Sequence, residues 1–319
     1  RETNNGIGSL VRRDRTVERI LDMLEQQRTV IVRSASFTGK STLAALLEDY
    51  VLRNHGNQFS TCYGIEPIRI ACSKKPRAYS FADYYRHLFN TDFTHTLCSQ
   101  RRLMLIIDDA QELYAEENNS LWKLIKQRSH CLSFVIFSSY DNLADMRIVL
   151  PTDFSMDLLR YTSREFAEYA RVSLSALKFE SDETSAKALR HLSNLTRNHP
   201  GLLDSIARFA NRELKISSSD PLDVNRFIQL LSSSHFYNHK LENSRAHTSL
   251  IQKNLSHLYS NTRQNERKEI ELDEHSIDLV WKGVLEEMSS SRKTLRFSSQ
   301  LIVDLIFHFA TKNFSNQLL

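Results

Sequence analysis

The sequence predicts an α/β fold: a five-stranded parallel sheet carrying a phosphate-binding loop, then a helical lid and a C-terminal winged-helix-like domain. Three observations point to it. Residues 28–50, RTVIVRSASFTGKSTLAALLEDY, read as strand, loop and helix, because the β-branched run Thr29-Val30-Ile31-Val32 precedes a small-residue loop and apolar residues then recur at Leu43, Leu46, Leu47, Tyr50 and Val51. Residues 103–109, LMLIIDD, read as a strand buried on both faces and ending in two carboxylates. From Thr162 onward the periodicity is that of helices, up to a hairpin pattern near the C-terminus.

The loop in the first stretch has the chemistry of a phosphate cradle. A loop that opens a helix aims several backbone N–H groups at one point, and the helix dipole adds partial positive charge there. The residues match the G-x-x-x-x-G-K-[ST] pattern except at its first position, where Ser34 replaces Gly, a change that is tolerable only if φ stays negative. The expected nucleotide contacts are Ser34, Ala35, Ser36, Phe37, Thr38, Gly39, Lys40, Ser41 and Thr42. Lys40 would reach the outer phosphates of ATP, the Ser41 hydroxyl would take a Mg²⁺ position, and Gly39 would let the backbone come close.

The acids supply the second half of the site. Carboxylates at the C-terminal end of a parallel strand fall at the sheet edge where ligands bind in open α/β folds. Asp108 is the expected Mg²⁺ ligand, and Asp109 stands where a general base or water-orienting acid belongs, with a side chain one methylene shorter than the commoner Glu. Lys40 and Asp109 are thus the catalytic candidates, and Ser41 and Asp108 the metal candidates.

Composition narrows the classes. The charge is nearly balanced, with 42 basic against 38 acidic residues, so the net +4 gives no general argument for nucleic acid. Cys62, Cys72, Cys98 and Cys131 lack metal-ligand or disulfide-frame spacing and read as thiols of a reducing compartment. No run approaches the roughly 20 apolar residues that cross a bilayer, which predicts a soluble protein with no membrane partner. The chain opens on Arg1 rather than Met and reads as a segment of something longer.

In chain order, Asp14 is the expected cap of a helix bearing Val17, Ile20, Leu21 and Leu24. The Arg12, Arg13 and Arg15 cluster beside it reads equally as a solvated helix start or as a cover for a nucleotide base. Residues 67–72 read as a strand, and Ser80 opens a helix whose Phe81, Tyr84, Tyr85 and Leu88 form a core stripe. A short helix is expected at 121–125, a strand at 131–139 and a fifth strand at 147–150. Ser138 and Ser139, at a strand end beside the acids, are candidates to sense the γ-phosphate. The spacing Thr162-x-x-Glu165 is a capping box, a helix follows at 182–195, and Pro200 starts another that runs through Ile206, Phe209 and Ala210. Arg208 on that helix reads as a surface residue. The polar joint at 215–221 divides the lid from helices expected at 227–231 and 250–258, a charged loop at 260–268, and a helix around Trp281. A hairpin follows with its turn at 289–293, then a final apolar helix with Leu301, Leu305, Ile306 and Phe309. Arg292, Lys293 and Arg296 would crown the wing, where they could track phosphates. The resulting division is 1–155, core; 156–217, lid; 218–319, helical and winged-helix-like.

With these pieces placed, the chain resembles the STAND and origin-recognition-like branch of AAA+ P-loop NTPases, and within it the ATPase region of Crinkler-type effectors from oomycetes and fungi. The residues that carry this are 30–34 before Thr38-Gly39-Lys40-Ser41, then 105–111 with Trp122 downstream, then Asn198-His199-Pro200-Gly201-Leu202. The resemblance implies ATP with Mg²⁺, a lid proline at Pro200 packing near the adenine, and a protein secreted into a host cell and directed to its nucleus. Ser34, Asp109 and the lack of an arginine after the fourth strand depart from the pattern. The function expected is a slowly hydrolysing signalling ATPase. A non-hydrolysing DNA- or protein-binding module with a structural P-loop, and a replication or transposition helper ATPase, are the alternatives, and a homo-oligomer assembled on nucleotide stays open.

Overall fold

Strands that are apolar on both sides need cover on both faces, and a parallel sheet flanked by helices provides it. The computed structural model describes residues 11–34, 38–58, 62, 64–93, 102–113, 121–122, 125, 132–139, 153–154, 159–174, 177–215, 222–233, 235–237, 270–271, 285–288, 291–297 and 306. The chain divides into two compact units, one holding Arg12–Ser34 and Gly39–Leu159, the other with Arg160–Leu319 as its main part.

The first unit is built on strands β1 (Thr29–Arg33), β2 (Ile65–Ala71), β3 (Arg102–Asp108), β4 (Leu132–Ser138) and β5 (Asp153–Phe154). They lie in the order β2-β3-β4-β1-β5 and every pairing is parallel. Four strands have five to seven residues, and β5 adds a two-residue edge. The fifth strand expected at 147–150 lies outside the described residues; the segment that pairs with β1 on that side is Asp153–Phe154, through Ile31 and Val32. Pro67 sits within β2, not at its start, and an edge strand tolerates a residue that cannot donate to the ladder.

Helix α1 (Asp14–Gln27) buries Val17, Ile20, Leu21 and Leu24, the face the periodicity predicts. Asp14 does not cap it. The N-cap is Arg13, whose Nη2 donates to the carbonyl of Leu159 at 2.9 Å, so a contact between distant parts of the chain sets where the helix begins. Helix α2 (Lys40–Asn54) buries Leu43, Leu46, Leu47 and Val51. Helix α3 (Phe81–Phe89) starts with a full capping box between Ser80 and Asp83. Phe81, Tyr84 and Tyr85 are core, with Phe93 stacked edge-on to Phe81 at 5.3 Å, but Leu88 is 43% exposed and leaves the expected stripe one residue short. Leu121 and Ile125 are buried helical residues beside this core.

The second unit has its own apolar core. Helix α4 (Ser163–Ser173) opens with the Thr162–Glu165 capping box, Glu165 N donating to Thr162 Oγ1 at 3.2 Å and Thr162 N to Glu165 Oε2 at 2.7 Å. Helices α5 (Asp182–Thr196), α6 (Pro200–Lys215) and α7 (Val224–Leu231) follow, and Phe166, Leu192, Ile206, Phe209, Phe227 and Ile306 meet in one cluster. Arg208 is exposed and pairs with Asp204 one turn back at 2.9 Å. Further on, β6 (Ile270–Glu271), β7 (Leu285–Met288) and β8 (Ser291–Phe297) form an antiparallel sheet in the order β6-β8-β7. Because β8 begins at Ser291, Arg292 and Lys293 are strand residues and not part of a turn, and Arg296 pairs in register with Glu286. The helices expected at 250–258 and around Trp281, the joint at 216–221 and the loop at 260–268 lie outside the described residues. Among the described residues no helix is long and apolar enough to cross a membrane. Cys62 and Cys72 are buried, and no disulfide joins them; Cys98 and Cys131 lie outside the described residues.

Candidate active site

Parallel strands in this order bring the C-terminal ends of β1, β4 and β3 side by side. β1 delivers Ser34, which is fully buried and has no positive φ, so its Cβ fits where the pattern has Gly. The loop then turns into α2 through Gly39, whose φ of 82° and ψ of 21° lie in the left-handed region that any larger residue would strain. Lys40 is the first residue of α2 and only 7% exposed; its Nζ donates to the carbonyl of Ser34 at 2.9 Å and lies 3.5 Å from Ser34 Oγ. Its ammonium is thus folded onto the start of its own loop. Thr38 is fully buried, and Thr42 is exposed on α2. Ala35, Ser36 and Phe37 lie outside the described residues.

The acids stand next to this loop. Ser41 Oγ donates to Asp108 Oδ1 at 3.2 Å, and the backbone N–H of Asp109 donates to the same oxygen at 3.1 Å. Asp108 is buried at the end of β3, and burial, with the neighbouring Asp109 charge second, pushes its carboxyl above the usual carboxylate range. The bonds from Ser41 and Asp109 and the charge of Arg69 pull the other way, and burial prevails. Arg69 is held by Glu48 at 2.7 Å. Asp109 falls just past the strand at φ 55°, a left-handed conformation that Asp adopts more readily than most residues.

Ser41 Oγ, Asp108 and the adjoining Asp109 offer hard oxygen donors, the kind Mg²⁺ prefers. Among the described residues no three acidic, His or Cys side chains form an all-protein cage. Mg²⁺ is ordinarily held by one or two carboxylates, with water and phosphate completing its shell, so this donor set fits it.

Ser138 and Ser139 both reach this edge. The hydroxyl of Ser138 donates to the carbonyl of Ser139 at 2.9 Å, and the Ser138 carbonyl accepts from Ser34 N at 3.2 Å. One residue that sequence reasoning gave no role, Gln111, lies in the turn Ala110–Leu113; it touches Asp109 Oδ1 through Nε2 at 3.5 Å and accepts from Ser139 N at 3.1 Å. Its only sequence signal is its place two residues beyond the acidic pair.

Pro200 stands in the second unit as the buried first residue of α6. The turn before it is fixed by two consecutive left-handed residues, Arg197 at φ 50° and Asn198 at φ 59°. His199 Nδ1 accepts from Leu202 N at 3.3 Å, which caps α6.

The sheet and the groups gathered at its edge define an α/β fold in which a loop–helix junction meets the acidic end of a parallel strand. Among solved structures, a Walker-type ATPase of Pyrococcus abyssi matches with a TM-score of 0.50 at 11% identity, covering 93% of this chain and 98% of that one. ORC of Drosophila bound to DNA matches with a TM-score of 0.49 at 14% identity, over 94% of this chain and 87% of that one. The ORC2 protein of Aeropyrum pernix, in ADPNP–ADP complexes, gives 0.49 at 12% identity, over 98% and 95%. At these identities the likeness is one of fold. No family model matches the chain, and no curated protein does.

Proposed function

We propose that this chain binds ATP with Mg²⁺ and hydrolyses it slowly. The observation that carries the reading is the convergence of Lys40, Ser41 and Asp108 on one edge of the sheet, with the Ser41–Asp108 bond of 3.2 Å tying the phosphate-loop helix to the acidic strand. Lys40 would exchange its bond to the Ser34 carbonyl for the outer phosphates, supplying charge where the leaving group develops it. Ser41 and Asp108 would hold Mg²⁺, which would neutralise phosphate charge when bound. Asp109 would orient the attacking water, and Ser138 and Ser139 would lie near the γ-phosphate. Positioning and electrostatics supply most of the rate in such a reaction. The departures at Ser34 and Asp109 favour slow turnover.

The finer reading, a signalling ATPase of the STAND and Crinkler kind acting in a host cell and its nucleus, rests on the motif resemblance alone. So does the placing of Pro200 near adenine, while the three-part division of the chain rests on the turn to helical periodicity at Thr162 and the polar joint at 215–221. A second reading, a DNA- or protein-binding module with a structural P-loop, is favoured by the β6-β8-β7 sheet order, which a winged helix shares, and by Arg292, Lys293 and Arg296 on β8.

Equilibrium binding of labelled ATP, followed by phosphate release, tests the proposal. Wild type is expected to bind only with Mg²⁺ present, Lys40→Ala to lose binding, and Asp109→Asn to bind but release phosphate more slowly. Failure of wild type to bind ATP overturns it. DNA binding that is steep in salt and indifferent to Lys40→Ala would favour the second reading.

A further inference from the structure

Four hydrogen bonds run across the sheet edge from the phosphate loop to the acid. Lys40 Nζ donates to the carbonyl of Ser34, and Ser34 N donates to the carbonyl of Ser138 at 3.2 Å. One residue on, Ser139 N donates to Gln111 Oε1 at 3.1 Å, and Gln111 Nε2 meets Asp109 Oδ1 at 3.5 Å. β4 lies between β1 and β3, so the ends of those two strands are roughly 10 Å apart and have no ladder in common. The Gln111 amide closes the half of that gap nearer the acid. An amide suits the place, because its oxygen accepts from a peptide N–H while its nitrogen donates to a carboxylate.

We infer that Gln111 is a positioning residue that couples the Asp109 carboxylate to the end of β4, and through Ser34 to the phosphate loop. Asp109 needs such a hold. It sits outside the strand ladder, in a left-handed backbone conformation that leaves its side-chain direction to local contacts. With Gln111 in place, a shift of the β4 end moves the acid with it, so water activation follows the state of the phosphate loop. The inference rests on the reading of Asp109 as the water-orienting acid, but its structural half can be tested without turnover.

Two measurements decide it, on the full chain. The first is amide exchange at Ser139 by NMR. Gln111→Ala should speed exchange by about tenfold, the loss of one buried hydrogen bond, and Gln111→Glu, which has no donor for Asp109 and sets a like charge against it, should speed it as well. Asp109→Ala should also speed it, because the carboxylate anchors the amide. Unchanged exchange in Gln111→Ala or in Asp109→Ala overturns the coupling. The second is hydrolysis. Gln111→Ala should lower kcat by about 10- to 100-fold, the size expected for a misplaced catalytic group, with KM for ATP within about twofold. Gln111→Glu, lacking the donor to Asp109, should be slow as well. Equal changes in kcat and KM, or full activity in Gln111→Glu, overturn the positioning role. If wild type hydrolyses no ATP, the proposed function fails, while the exchange result still decides the coupling.

Discussion

Lys40 and Asp108 are both buried charges, and their surroundings treat them differently. The Lys40 ammonium is stabilised by the Ser34 carbonyl, a bond that a phosphate oxygen could replace with a stronger, charge-assisted one. Lys40→Ala should therefore weaken Mg²⁺–ATP binding about 100-fold, ~2.7 kcal/mol, as read by titration calorimetry. Asp108 is pushed up by burial and by Asp109, so it holds its proton to higher pH in the fold than in the unfolded chain. Between the ordinary carboxylate pKa and this raised one the native state binds more protons, and stability falls as pH rises through that window. Melting curves across acidic pH should show this fall in wild type and lose it in Asp108→Asn. At neutral pH without Mg²⁺ the Asn variant should melt higher than wild type. Added Mg²⁺ should raise the melting temperature of wild type alone.

Helix starts show which signals are local. The boxes at Ser80 and Thr162 are complete within four residues, and both form as the sequence spacing predicts. Thr162→Ala should cost about 1 kcal/mol in urea unfolding, from the lost acceptor for Glu165 N. Asp14 failed as a cap because the competing interaction joins Arg13 to Leu159, 146 residues away, which no local pattern can contain. Leu88 failed as core for a related reason: helical spacing identifies a face, while the width of that face under cover depends on what packs against it. The hairpin turn was misplaced because Arg292 and Lys293 look like turn residues by polarity, whereas pairing within the sheet decides where β8 starts. Gln111, part of the 105–111 motif, received no role of its own, since its reach to Ser139 is a property of two neighbouring strand ends.

Among the described residues, one apolar cluster lies against the sheet and another among α4 to α7. Periodicity made both legible: continuous apolar strands for the first, repeats of 3.6 for the second. The strand order was not written in that pattern, because it depends on which edges pair after the crossovers are made. Separate cores predict separable unfolding. Phe227→Ala, emptying a fully buried ring site, should cost about 3–5 kcal/mol. Hydrogen exchange should show that loss in the amides of α4 to α7, with those of β1, β3 and β4 keeping their protection. Asp109, at φ 55°, carries a further implication for anyone breeding hardier variants of this chain. Glycine would relax that backbone by about 1 kcal/mol, so selection for heat resistance alone would reward discarding the acid, and on the function proposed above the toughest survivors would release phosphate more slowly.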